Sequence, residues 1–154
     1  MIIAALVVSW AAFYVPYYKN RPEKLNRVME IKDAASGRIY GQWPLEEGEE
    51  FAIEFIHSVN QSPVREGYAN ESGIIRLRFV RFHSFGAGML SDLEGGLELK
   101  RDGDAMIITG FSTSFKVLNY IVGTVSDHLL FIRNEIVSLR EFCGRNAQIN
   151  IYLK

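Results

Sequence analysis

From residue 28 onward the apolar side chains recur mostly at alternate positions or in short runs, and turn residues interrupt them every eight to twelve positions. A period of two sends successive side chains to opposite faces of an extended strand, so this spacing selects strands over helices. The segments that fit are 28–32, 38–43, 50–57, 64–70, 74–82, 97–100, 105–110, 115–122, 127–133 and 147–153. Between them AASG, PLEEGE, NESG and RDGD supply Gly, Asn and Asp for the left-handed positions of tight turns. One short helix is predicted over 138–142, with Ser138 as its cap and Gly144 as its stop. A chain of 154 residues has a one-domain length and can bury a substantial core. The expected fold is all-β, an antiparallel β-sandwich or partly closed barrel.

The N-terminus departs from this pattern. MIIAALVVSWAAFYVPYY carries no charged side chain over 18 residues, and KNRPEKLNR follows at once. As a helix rising ~1.5 Å per residue the run reaches about 27 Å, close to a hydrocarbon core of ~30 Å, with Tyr17 and Tyr18 placed for the interface. An uninterrupted apolar run also differs from the one-sided stripe of a globular surface helix. The expected organisation is therefore one transmembrane helix at 1–18, a basic linker at 19–27 and a β-sandwich domain at 28–154. With no small-residue cleavage signature and no cysteine for lipid attachment, the helix reads as an uncleaved anchor in the cell membrane. Lys19, Arg21, Lys24 and Arg27 all follow the run, a bias that by itself would hold the domain in the cytoplasm.

A formal net charge of -1 gives none of the basic footprint that nucleic-acid binding requires, so no nucleic-acid partner is expected. The single cysteine, Cys143, excludes an intramolecular disulfide and a Cys-rich zinc site, and reads as a small buried apolar residue.

The stretch FIHSVNQSPVREGY, residues 55–68, carries the most suggestive polar groups. Parity puts Phe51, Ile53, Phe55 and His57 on one face of the first strand, and Val64, Glu66 and Tyr68 on the matching face of the next. A register with Phe55 opposite Tyr68 also puts His57 opposite Glu66. Two readings follow. In one, Glu66 ties down the loop of residues 58–62 and His57 completes a structural clasp. In the other, His57, Ser58, Glu66 and Arg65 are presented to a ligand at the end of the sheet.

A second irregular segment, FHSFGAGML, follows strand 74–82. Ile75, Leu77 and Phe79 alternate inward until Val80 breaks the parity, which predicts a bulge near Phe79. Gly86 and Gly88 flank Ala87 in a turn that permits close backbone approach, although it is neither a dinucleotide fingerprint nor a P-loop. His57, His83 and His128 fall in three different strands or loops, and no cofactor is called for. A metal at His57, Glu66 and His83, serving a small surface hydrolase, is the alternative to a protein without enzymatic activity. Ser58, Ser62 and Ser84 lack a nucleophile-elbow motif, and Asp127 with His128 reads as a turn followed by a solvent-facing strand residue.

Trp43, Pro44, Leu45, Gly48 and Glu49, then His57, Ser58, Val59, Pro63, Val64 and Glu66, then Ser84, Phe85, Gly86, Ala87 and Gly88 form an ordered pattern. It resembles a family of small bacterial and archaeal proteins catalogued only as a domain of unknown function and encoded beside TAXI-type tripartite (TRAP) transporters. The likeness is dense over residues 43–89, while the C-terminal third fits only as a loose strand pattern. The resemblance implies an extracytoplasmic domain on one N-terminal anchor. It also implies a partner in the transporter's membrane subunit or solute-binding protein, and no established reaction. The residues it marks, as a ligand site or a structural motif, are His57, Ser58, Pro63, Glu66, Ser84, Gly86 and Gly88.

Overall fold

The computed structural model describes residues 27–59, 61–83 and 95–154. The anchor expected at 1–18, most of the linker, and Ser84, Gly86 and Gly88 lie outside the described residues. Among the described residues no helix is long and apolar enough to cross a membrane.

The strands are β1 (Arg27–Asp33), β2 (Ile39–Leu45), β3 (Glu50–Ile56), β4 (Pro63–Glu71), β5 (Ile74–Phe82), β6 (Glu98–Asp102), β7 (Ala105–Thr109), β8 (Ser114–Phe115), β9 (Val117–Ile121), β10 (His128–Ile132), β11 (Glu135–Ser138) and β12 (Gln148–Leu153), with one helix, α1 (Leu139–Cys143). They form two open antiparallel sheets. The smaller has the order β2-β1-β12-β9, and the larger β11-β10-β3-β4-β5-β7-β6, with β8 paired to β5. The alternation read from the sequence matches most of these strands. Helix α1 starts where Ser138 Oγ accepts the Glu141 N–H at 3.1 Å and ends at Gly144, whose φ of 103° few other residues adopt.

Strand β11 has no counterpart among the predicted segments. Ile132 pairs with Glu135, so Arg133 and Asn134 alone make the hairpin turn, with Arg133 at φ 53°. Neither glycine nor proline marks that turn, and one run of sequence folds back on itself without punctuation. The predicted strand 115–122 divides instead. Phe115 pairs with Ile75 in the larger sheet and Val117 with Tyr152 in the smaller, so the chain changes sheets at Lys116.

Met29, Ile31, Leu118, Ile149 and Ile151 from the smaller sheet close over Phe51, Ile53, Tyr68, Leu130 and Ile132 of the larger, and all are at most 5% exposed. Beyond the edge strand β9 a second cluster, Val64, Phe82 and Ile108 with Phe55, Val80 and Met106 against them, continues the inner face. At one end of the sandwich the Asn70 amide donates to the Leu45 carbonyl at 3.1 Å, and the β4–β5 turn at Gly73 packs against the Arg27 guanidinium. The opposite end carries the β3–β4 and β9–β10 loops.

The expected bulge lies in β5. Gly67 faces Phe79 and Tyr68 faces Leu77, leaving Arg78 as the extra residue. Phe79 thereby moves to the outer face, contrary to its predicted inward position, and its ring covers Gly67 so closely that a Cβ there would sit 2.0 Å from Cε1. Gly67→Ala is expected to cost about 1–2 kcal/mol, at the low end of overpacking penalties because the ring can swing toward solvent. Thermal unfolding should show most of that cost vanish in a Phe79→Ala background.

Candidate functional site

The β3–β4 hairpin is shorter than the sequence suggested. Phe51, not Phe55, lies opposite Tyr68, which puts Ile53 opposite Glu66 and Ile56 opposite Pro63. His57 is beyond the strand. Its N–H donates to the Ser62 carbonyl at 2.9 Å, and its own carbonyl accepts from Gln61 N–H at 2.9 Å. Gln61 takes the left-handed conformation at φ 49°, and His57 Nδ1 accepts the Val59 N–H at 3.3 Å. His57 therefore organises its own turn and is not the cross-strand partner of Glu66. The register error came from assuming a wider loop. Parity could not expose it, because moving one strand against the other by an even number of residues, here four, keeps every side chain on its face.

The remaining predicted residues separate. Ser58 is exposed in the turn, and Pro63 begins β4, where its missing N–H is tolerated. Arg65 faces outward, with its Nε 2.8 Å from Glu54 and its guanidinium 3.9 Å above the Phe131 ring. His83 lies 3.4 Å from Asp104 and 3.4 Å from Arg81. Among the described residues no group of three His, Cys, Asp or Glu side chains is placed to hold a metal ion, so His57, Glu66 and His83 do not form the metal site considered for them.

What Glu66 does meet is two tyrosines. Its Oε2 accepts the Tyr68 hydroxyl at 2.7 Å and the Tyr120 hydroxyl more closely still, and the two hydroxyl oxygens are 2.8 Å apart. Tyr68 follows Glu66 by two residues on the inner face of β4, whereas Tyr120 comes from β9 across the interior. The trio thus joins the two sheets. Burial foremost, then the neighbouring charges, pushes both phenols well above the ordinary tyrosine range, so both keep the protons they donate.

His128 completes the surroundings. It pairs with Phe55 in the β10–β3 ladder, stacks on that ring at 5.2 Å, meets Tyr120 edge-on at 6.0 Å, and its Nδ1 accepts the Gly123 N–H at 3.1 Å. It therefore faces inward, not toward solvent as the sequence reading had it. Asp127 beside it is a structural anchor, accepting the Ser138 hydroxyl at 2.5 Å and the Arg140 N–H at 3.0 Å. Sequence reasoning missed Tyr120 and His128 as neighbours of Glu66. Only Tyr68 carried a signal, through its parity with Glu66.

Burial lowers the His128 pKa from its ordinary 6.5, Arg140 adds to that lowering, and Asp127 and Glu66 act the other way. The unfolded chain then binds the proton more readily than the folded one. Stability is expected to fall as pH drops below about 6.5 and to level off below the folded value. An NMR titration of the His128 ring should give a midpoint below that of an exposed histidine.

The loops beside this cluster form an uncharged tip. Ser126 Oγ donates to the Ile56 carbonyl at 3.4 Å, tying the β9–β10 loop to the end of β3. Val59 is 66% and Val125 94% exposed at its surface.

No curated protein and no solved structure matches the chain. A family model described as a domain of unknown function, DUF1850, matches residues 51–139. It takes in the β3–β4 hairpin, Glu66, Tyr68, Tyr120 and His128, and leaves out Trp43 to Glu49 of the pattern noted in the sequence. Because the match covers more than half of the chain, the protein belongs to the DUF1850 family of uncharacterised domains.

Proposed function

We propose that this protein is a membrane-anchored, extracytoplasmic accessory domain of a TAXI-type TRAP transporter. It docks on a transporter component, the solute-binding protein or the membrane subunit, and carries out no reaction of its own. The observation that supports this reading best is the placement of the tip. Residue 27, where the chain arrives from its apolar N-terminal run, lies at the end of the sandwich opposite the β3–β4 and β9–β10 loops. A domain tethered there would hold Val59 and Val125 away from the bilayer. Neither 58–62 nor 123–126 contains a charged residue, which suits a surface that is desolvated on contact with another protein.

The test uses the full chain in its own membranes, with a photo-crosslinking side chain at position 124, exposed beside Val125 in the same loop. The expected product joins it to a transporter component. Val59→Asp and Val125→Asp should abolish that product while changing stability by less than about 0.5 kcal/mol, as exposed substitutions do. A crosslink that never includes a transporter component, or one that survives both aspartates, would overturn the proposal.

A further inference from the structure

Glu66 is a carboxylate that no lysine or arginine among the described residues neutralises. It is half-buried on the inner face, opposite Ile53 on one side and Val80 on the other. Its partners among the described residues are the two phenols on Oε2. Oε1 accepts no hydrogen bond among them, and no lysine or arginine is ion-paired with the carboxylate. A half-buried carboxylate without a counter-charge leaves Oε1 open to a positively charged donor.

Aromatic rings lie beside it. Phe55 is the diagonal cross-strand neighbour of Glu66, His128 stacks on Phe55, and the Tyr120 ring stands edge-on to His128 with its hydroxyl on Glu66. Glu66, Phe55, Tyr120 and His128 all keep part of their surface in solvent, so the cluster is reachable from outside. A single anionic oxygen beside aromatic rings is the chemistry that receives an alkylammonium group. The carboxylate takes an N–H, and ring faces receive the positive charge and the alkyl carbons. Inorganic divalent ions are served poorly, since they need several oxygen ligands and the neighbours here are rings and phenols.

The geometry points to Glu66, framed by Phe55, Tyr120 and His128, as a binding site for a small organic ammonium ion. The site adjoins the proposed docking tip, since His128 accepts the Gly123 N–H, but does not rest on that reading.

The probe is methylammonium chloride, compared with sodium chloride at equal ionic strength and with sodium acetate, on the full chain in detergent. A ligand of so few atoms binds no more tightly than the millimolar range. At about tenfold over such a dissociation constant, methylammonium is expected to raise Tm by roughly 3–6 °C beyond the sodium chloride control. Glu66→Gln should lose that increment whatever its own starting Tm. Phe55→Leu, which leaves the carboxylate in place, should weaken the response several-fold. A saturable shift of the His128 and Tyr120 ring resonances in the unaltered protein supplies the same answer if Glu66→Gln does not fold. Equal stabilisation by sodium chloride, a full response from Glu66→Gln, or no saturable change at those rings would each overturn the assignment.

Discussion

Ile53→Ala is expected to destabilise the domain by about 2–5 kcal/mol, the cost of emptying a buried aliphatic site that its neighbours cannot close. Ile53 has no exposed surface and sits between Leu130 and Glu66 in the ladder of the larger sheet. The smaller sheet packs onto it from above, so the cavity would open at the centre of the main cluster. Urea unfolding is the measurement, read as a lower midpoint at an unchanged slope. Ile136→Ala makes the contrast. It deletes the same atoms from a residue that is 64% exposed on β11 and should stay within about 0.5 kcal/mol of the parent protein. Comparable losses at the two positions would mean that the inner face of the larger sheet has been assigned to the wrong residues.

That assignment was legible because it depends on a local quantity. Alternation along β3 and β4 puts Phe51, Ile53 and Phe55 with Val64, Glu66 and Tyr68 whatever the partner strand does, and the structure agrees. Relations between strands were less accessible. The pairing of His57 with Glu66 failed because the turn is four residues long, a length chosen by backbone conformation at Gln61 and by hydrogen bonds that His57 itself makes. Tyr120 was invisible for a tertiary reason. Its strand reads as the continuation of the one before it, and nothing in the letters around Lys116 says that the chain leaves one sheet for the other. His128 was misjudged because an Asp-His pair resembles a turn, and only the β10–β3 register shows the imidazole stacked on Phe55. Helix α1 was legible for the opposite reason, since cap and stop are set by side chains within a few positions of each other. The polar stretch that first attracts attention thus divides into two parts. His57 belongs to a turn, and Glu66 to a cross-sheet network whose other members lie more than fifty residues away in sequence or beside it on β4.

Removing both hydroxyls around Glu66 should cost nearly as much as the core truncation. In the Tyr68→Phe, Tyr120→Phe double variant the rings remain to fill their volume, and the carboxylate loses both of its donors. A hydrogen bond to a charged group contributes ~1.5–3 kcal/mol, and the residual solvent contact of Glu66 offsets part of two such losses, so about 2–4 kcal/mol is expected. Each single variant should cost less than half of that, because the remaining phenol still reaches Oε2. The cycle should therefore show a coupling of about 1 kcal/mol or more between Tyr68 and Tyr120, which is the signature of a shared acceptor. Glu66→Leu added to the double variant should recover much of the loss, since an apolar side chain asks for no donors on that face. Strict additivity of the two phenylalanines, with no recovery from leucine, would show that the tyrosines stabilise the sandwich through their rings alone and that Glu66 finds its solvation elsewhere.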